Sequence, residues 1–132
     1  MALEDEIRQA SEHFYAALNR AINGDPGPMM EVWSHGSDVT SMDPPGGINV
    51  GWEEVRAGWE HWEQAAQGMS EGQVWLDDLV VLPIADDVAY TVGTEHGQVN
   101  TIGVDWRVTN IYRREGGEWK VVHHHTDQAL GS

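Results

Sequence analysis

Apolar residues recur every three or four positions in two stretches of the chain, which is the spacing of an amphipathic helix. The first stretch covers residues 3–21 and ends at Asn23-Gly24, and the second covers residues 52–66. Between them, Asp25-Pro26 has the composition of a helix start and opens a short third helix through Trp33. The first half of the chain is therefore predicted to contain three helices.

The second half of the chain alternates apolar and polar residues, which is typical of strands. A turn is expected at Asp86-Asp87 and another at Gly116-Gly117. Two short strands are also expected earlier, on either side of the turn "PPGG" at 44–47. The order predicts an α+β fold in which a curved antiparallel sheet wraps against the helices and encloses an interior pocket. The predicted strands are "SDVTSMD" (37–43), "INV" (48–50), "QVWLDDLVVLPIA" (73–85), "VAYTVGTEHGQV" (88–99), "TIGVDWRVTNIYRRE" (101–115) and "EWKVVHHHTD" (118–127).

Composition restricts the classes of partner. The 132 residues suit one domain, and 22 acidic against 7 basic residues give a formal net charge of -15. Such a surface repels phosphates, so neither nucleic acid nor an anionic membrane is an expected partner. There is no cysteine, no long apolar run and an acidic N-terminus, which favour a cytoplasmic protein without disulfides. Seven tryptophans are enough to line a cavity for an apolar ligand.

Three consecutive histidines near the end of the chain raise the question of a metal site. Strand alternation places His123, His125 and Asp127 on one face, and His124 and Thr126 on the other. The first three offer nitrogen and carboxylate ligands, but no further histidine is aligned with them. The alternative is that they are hydrogen-bonded residues of a cavity wall. We predict neither a metal nor a cofactor.

The element order carries a family resemblance, together with "FYAALN" in the first helix, "SMDPPGGINVGWEEVRAGW" in the middle and "RVTNIYRREGGEWKVVHHH" at the end. With these features the chain resembles the nuclear transport factor 2-like superfamily, and most of all its SnoaL-like and ketosteroid-isomerase-like branches. The resemblance implies one domain over residues 1–132, a cone-shaped α+β barrel with a deep pocket, and homodimers through the outer face of the sheet. It does not imply one activity, because related proteins include isomerases, cyclases, dehydratases and inert association domains.

The resemblance also assigns roles to the end of the chain. It places His125 and Asp127 in the cavity, His123 deeper, and His124 on the outer face. Asp43, which precedes Pro44, matches the general base of the isomerases. An aspartate at a strand end in an apolar cavity has its pKa raised, which suits a base. The alternative for Asp43 is an ordinary turn-opening aspartate.

Two oxyanion donors of the isomerases are missing. The tyrosine of the first helix is replaced by Phe14, with Tyr15 one residue further on, and the second donor falls at Thr109. Arg107 lies on the same predicted face as Thr109, and the resemblance turns both inward. There Arg107 would pair with an acidic residue or bind a substrate oxyanion, or else it would tie the last two strands together.

The opposite face of that strand, with Trp106, Val108, Asn110 and Tyr112, is then expected to be outward. It is too apolar to be left in water, so the sequence predicts a homodimer.

The predicted function is binding of a small molecule, with proton transfer on a small apolar carbonyl compound as the activity if the protein is an enzyme. One alternative is a non-catalytic ligand-binding or association domain. Another is a metal-free enzyme like the iota-class carbonic anhydrases, whose "HHHSS" motif resembles "HHHTD". The catalytic candidates are Asp43, His125 and Asp127, and the ligand-binding candidates are Phe14, Tyr15, Trp33, Trp59, Arg107, Thr109 and His123.

Overall fold

A computed structural model describes residues 2–43, 47–66, 72–99 and 102–128. The three predicted helices and the six predicted strands are present in it, although the first strand is shorter than predicted and most of the "PPGG" turn lies outside the described residues. The elements are α1 (Leu3–Ile22), α2 (Gly27–Val32), β1 (Thr40–Met42), β2 (Ile48–Val50), α3 (Trp52–Ala66), β3 (Gly72–Ala85), β4 (Val88–Val99), β5 (Ile102–Glu115) and β6 (Glu118–Gln128).

The six strands form one sheet in the order β2-β1-β6-β5-β4-β3. Every pairing is antiparallel except that of β1 with β6, which is parallel and sets Ser41 beside His124. The α+β architecture, with helices packed on a curved and open sheet, is therefore confirmed. The parallel pairing matters for function, because it brings the C-terminal end of β1 next to the histidine run.

Helix α1 covers one face of the sheet, which we call the inner face. Its apolar stripe is buried as the helical spacing predicts. The core around it combines residues of all three helices and of the sheet. Its buried members include Ile7, Phe14, Leu18, Met29, Trp33, Val39, Val55, Trp59, Ala89, Tyr112 and Val121.

A β-bulge in β6 decides which histidine faces inward. Ile111 pairs with His123 but the next residue, Tyr112, pairs with Val121, so Val122 is an extra residue. The extra residue reverses the alternation, because the side-chain period of a strand is two. As a result Val121 and His124 both lie on the inner face, and both are buried.

The face predicted for the end of β6 is therefore corrected. Asp127 is bound to the exposed Arg107 and His125 is half-buried, so both belong to the outer face with His123. His124 and Thr126 are 2% and 4% exposed and lie inward.

The two faces of β5 are exchanged in the same way. Val108, Asn110 and Tyr112 are buried, so this face is the inner one rather than a dimer surface. Arg107 and Thr109, which were expected inward, lie on the outer face, and the Arg107 side chain is 71% exposed. The prediction for β5 was wrong because the resemblance, and not the burial of the side chains, had been used to decide which of its two faces points inward.

No helix within the described parts of the chain has the length and apolar character needed to cross a lipid bilayer.

Candidate functional site

The inner face carries a connected set of polar side chains that we call the buried polar chain. Its members come from five separate elements or their ends: α1, β1, β4, β5 and β6. Most of them are almost inaccessible to solvent, which is unusual for side chains of this type unless they are hydrogen-bonded. They are Tyr15, Asp43, Glu95, Asn110, His124 and Thr126.

One end of the buried polar chain joins α1 to the middle of the sheet. The hydroxyl of Tyr15 donates to Oε2 of Glu95 at 2.8 Å, and Nδ2 of Asn110 donates to the same hydroxyl oxygen at 3.3 Å. Glu95 is 3% exposed and Asn110 is fully buried. Each of the three groups thus satisfies a neighbour that burial would otherwise leave without a partner.

The other end joins β5 to β6 and to the residue after β1. Nδ1 of His124 lies 2.6 Å from Oδ1 of Asn110, and Nε2 of His124 lies 3.4 Å from Oδ1 of Asp43. The hydroxyl of Thr126 donates to the same carboxylate oxygen at 2.7 Å. Asp43 is reached because Ser41, two residues before it, pairs with His124 in the parallel register.

The donors and acceptors of this chain define the protonation of His124. The amide oxygen of Asn110 only accepts, so the Nδ1 atom that faces it carries a proton. Nε2 is left to face the carboxylate of Asp43. When His124 is charged, Nε2 also carries a proton and the two residues form an ion pair.

The electrostatics favour that ion pair. Burial disfavours the imidazolium, but the hydrogen bond and charge of Asp43 and the charge of Glu95 outweigh burial and raise the pKa of His124. Burial also works to raise the pKa of Asp43, yet the imidazolium of His124 and the hydroxyl of Thr126 outweigh it and lower that pKa. The expectation that Asp43 has a raised pKa is therefore corrected, because that expectation did not include the imidazolium of His124 beside the carboxylate.

The opposite end of the chain behaves differently. Burial raises the pKa of Glu95, against the charge of His124 and the hydrogen bond from Tyr15. Burial, followed by the charge of Glu95, raises the pKa of Tyr15 well above its usual range. The two carboxyl groups of the chain are thus shifted in opposite directions, which is a common property of acid–base sites.

Aromatic rings enclose the imidazole of His124. The ring of Phe14 is 5.1 Å from it and that of Trp59 is 6.2 Å from it, measured between centroids. Trp33 packs against Trp59 at 6.5 Å. The four aromatic ligand-binding candidates, Phe14, Tyr15, Trp33 and Trp59, therefore lie together on the inner side of the sheet, and each is at most 7% exposed.

Solvent reaches the buried polar chain at Asp43, whose side chain is 35% exposed. Apolar residues lie further along the inner face of β5. Ile102 and Val104 are 68% and 39% exposed, and Trp106 is half-buried. Trp106 pairs with Glu95 across β5 and β4, so this apolar surface borders the Glu95 end of the buried polar chain.

The remaining sequence candidates lie on the outer face. Nδ1 of His123 is 2.6 Å from the hydroxyl of Thr40, and the ring of His123 is 6.2 Å from that of His125. Arg107 and Asp127 form an ion pair with two hydrogen bonds, of 2.7 and 2.9 Å. The pair links β5 to β6, which agrees with the interpretation that Arg107 ties the last two strands together. Thr109 pairs with His125 across the strands.

The three consecutive histidines do not point toward one common site. The first and third face outward and the second faces inward. Within residues 2–43, 47–66, 72–99 and 102–128, no three histidine, aspartate or glutamate side chains are placed to hold one metal ion.

Sequence reasoning missed Glu95, Asn110 and Thr126 and turned His124 outward. A signal was present in β4, where small residues alternate with larger ones and Glu95 shares its face with Ala89 and Thr91, both buried. A charged residue among such positions indicates a buried acid with a partner.

Comparison with known proteins places the chain among relatives. The SnoaL-like domain matches residues 7–129. F-box protein SKIP8 of Arabidopsis thaliana is 26% identical over 123 residues, which are 91% of this chain and 48% of that protein. The chain thus spans about half the length of this curated relative.

Two solved structures have the same fold. One, from Streptomyces avermitilis, is described as a candidate dehydratase of the NTF2-like family; it is 20% identical, with a TM-score of 0.78 over 97% of this chain and 96% of that one. The other, from Thiobacillus denitrificans, is described as a candidate calcium/calmodulin-dependent protein kinase type II association domain. It is 27% identical, with a TM-score of 0.74 over 93% of this chain and 94% of that one.

Proposed function

The chain belongs to the SnoaL-like domain family, and from this premise we propose that it binds a small apolar carbonyl compound and moves a proton at the carbon next to the carbonyl. Asp43 is the proposed general base, and His124 is the proposed general acid. This keeps Asp43 from the sequence prediction and puts His124 in the place of the catalytic candidate His125.

The observation that carries the proposal is the pairing of a buried imidazole with a partly exposed carboxylate. Nε2 of His124 and Oδ1 of Asp43 are 3.4 Å apart, and Asp43 alone of the two is open to solvent. An acid and a base held side by side on the accessible end of a buried chain can act on neighbouring atoms of one substrate.

A dehydration illustrates the chemistry. The carboxylate of Asp43 takes the proton from the carbon next to the carbonyl, and its C–H electron pair forms the new carbon–carbon double bond. The hydroxyl on the adjacent carbon leaves with its C–O electrons and takes the Nε2 proton of His124, forming water. The proton on Asp43 then passes to Nε2, which is 3.4 Å away, and restores both groups. An isomerisation and the exchange of a ketone proton share the first step. In both, the Nε2 proton of His124 passes to the carbonyl oxygen as the enol forms, and the oxygen returns it to Nε2 when Asp43 returns its proton to a carbon and the carbonyl is restored.

The substrate class follows from the surroundings. Trp106 pairs with Glu95, and Val104 and Ile102 continue this apolar surface along β5, which supports a mostly apolar molecule with one or two oxygens. The likeness to a candidate dehydratase from Streptomyces avermitilis supports elimination of water among the possible reactions.

The test is deuterium incorporation, which needs no knowledge of the product. The protein is incubated in heavy water with a panel of small cyclic ketones and β-hydroxy ketones, and loss of the proton next to the carbonyl is followed by NMR. We expect at least one compound to exchange. Asp43→Asn should slow this exchange by roughly 100-fold or more, which is the usual scale of general-base catalysis.

Asp87→Asn is the matched control, because Asp87 is an exposed residue of the β3–β4 turn. This variant should exchange at the wild-type rate. Equal rates for Asp43→Asn and the wild-type protein on a compound that does exchange would contradict the proposed role of Asp43.

We also propose that two copies of the chain associate through the outer face of the sheet, as first predicted, but with residues of β3 in place of those named on β5. Trp75, Val80 and Leu82 on β3 are 38%, 47% and 36% exposed, and β3 is an edge strand of the sheet. The 27% identity to a candidate association domain supports assembly as a second role. Sedimentation should show a dimer at micromolar concentration, and a monomer there would refute the dimer.

A further inference from the structure

We propose that Glu95 is a positioning residue, which fixes the tautomer of His124 through Tyr15 and Asn110 and so keeps Nε2 as the reactive ring nitrogen. This inference rests on the proposed function, because it concerns how the proposed acid is prepared. Glu95 is hydrogen-bonded to Tyr15 and linked to His124 through Tyr15 and Asn110, so its effect on the tautomer is exerted through two other side chains.

The ionised carboxylate of Glu95 can only accept hydrogen bonds. Tyr15 has a single hydroxyl proton, and it is committed to Oε2 of Glu95 at 2.8 Å. The hydroxyl oxygen of Tyr15 is therefore available only as an acceptor toward Asn110. The amide of Asn110 must then point its NH2 group toward Tyr15. In the structure Nδ2 of Asn110 donates to the hydroxyl oxygen of Tyr15 at 3.3 Å.

The orientation of this amide decides the state of the imidazole. With Nδ2 of Asn110 on Tyr15, Oδ1 faces His124 and requires a proton on Nδ1. The neutral imidazole then has its lone pair on Nε2, toward Asp43. If the amide turned over, its NH2 group would face Nδ1, and the proton of the ring would move to Nε2.

Such a turn costs little unless something holds the amide, since oxygen and NH2 have almost the same shape. Asn110 is fully buried, so water does not compete for its contacts. Glu95 fixes its end of the chain, because its ionised carboxylate cannot donate and Tyr15 must therefore donate to it. Removing its acceptor frees the proton of Tyr15 to point at Asn110 instead.

The experiment reads the tautomer directly, without any substrate. The ¹⁵N shifts of the His124 ring are measured by NMR above the pKa of His124, where the imidazole is neutral. Assignment uses the signal lost in His124→Gln. We expect the wild-type protein to hold the proton on Nδ1 in a ratio of roughly five to one or more. Nδ1 has the closer acceptor, since Oδ1 of Asn110 is 2.6 Å away whereas Oδ1 of Asp43 is 3.4 Å from Nε2, and one hydrogen bond of ordinary strength supplies that factor.

Three variants separate the acceptor from its charge. Tyr15→Phe and Glu95→Ala both break the path to Asn110, and each should bring the two tautomers of His124 to within about threefold of each other. Glu95→Gln keeps an oxygen that accepts from Tyr15, so it should preserve the wild-type ratio. Glu12→Gln, an exposed change on α1, should leave the ratio unchanged.

Glu95→Gln should nevertheless alter the titration of His124. The charged groups that act on this imidazole are Asp43 at the end of β1 and Glu95 on β4, while α1 and α3 present Phe14 and Trp59 to it. Loss of the Glu95 charge should therefore lower the pKa of His124 with the tautomer kept.

The outcomes distinguish this inference from the proposed function. A wild-type ratio retained in both Tyr15→Phe and Glu95→Ala, or a wild-type protein with the proton on Nε2, would overturn the role of Glu95. Tyr15→Phe keeps the ring and its packing, so it decides the question if Glu95→Ala does not fold. Neither result touches deuterium exchange by the wild-type protein and its loss in Asp43→Asn, which test the proposed function alone.

Discussion

Replacing Asp43 with asparagine removes the counter-charge of a histidine that has almost no access to water. Asparagine has the same shape, so the aromatic packing around His124 is retained. The imidazolium, however, would face an uncharged amide in place of the carboxylate, while its contact with Asn110 and the charge of Glu95 remain. The change therefore isolates the ion pair from the rest of the core.

The size of the effect follows from burial. A hydrogen bond between charged groups contributes about 1.5–3 kcal/mol to stability. Since the Asp43 side chain is 35% exposed, water screens part of this contact, and we take about 1 kcal/mol for the pair. This corresponds to a fall in the midpoint of thermal unfolding of about 4 °C for a domain of this size.

The sign of the pH dependence is set by both partners. His124 has its pKa raised from 6.5, so its contribution is complete below pH 6.5 and is lost as the pH rises through the folded pKa. Asp43 has its pKa lowered from 3.8, so its contribution is present above pH 3.8 and is lost as the pH falls through the folded pKa. The pair therefore stabilises the protein most between pH 3.8 and 6.5.

The assay is urea denaturation of the wild-type protein and of Asp43→Asn at pH 5.5 and at pH 8.5. We expect the free energy of unfolding to differ by about 1 kcal/mol at the lower pH and by clearly less at the higher one. A difference that is equal at both pH values would refute the ion pair, because an uncharged contact does not titrate.

Three further predictions concern the core, the outer face and metal. Phe14→Ala should lower the free energy of unfolding by about 3–5 kcal/mol in urea denaturation, since Phe14 is fully buried between Tyr15 and His124; a loss below 1 kcal/mol would contradict this packing. Leu82→Glu should convert the proposed dimer to a monomer in sedimentation while the circular dichroism spectrum stays unchanged. Treatment with a chelator should leave the thermal midpoint within about 1 °C, and loss of structure together with about one zinc per chain in elemental analysis would contradict the prediction that no metal is needed.

The fold was predictable because its signals are local. The helical period in α1 and α3 and the glycine pair before β6 each specify an element without reference to distant residues. The position of Asp43 at the end of the first strand was predictable for the same reason.

The orientation of the histidine run was not predictable from alternation. One extra residue, Val122, reverses the parity of β6, and no turn residue or proline marks it in the sequence. The partners of His124 come from β1, β4 and β5, so they depend on strand order and register. Glu95 and Asn110 were missed because the role of a buried polar residue depends on its hydrogen-bond partners. These partners come from other elements and cannot be recognised from one strand.

The most direct test of the proposed site compares His124→Gln with His125→Gln in the deuterium-exchange assay, using a ketone that the wild-type protein exchanges. The structure-based assignment predicts that His124→Gln slows exchange by roughly 100-fold, since general acid–base groups contribute on that scale, and that His125→Gln stays within about threefold of the wild-type rate. The assignment made from the sequence predicts the reverse order. Slow exchange in His125→Gln together with wild-type exchange in His124→Gln would contradict the inner-face site.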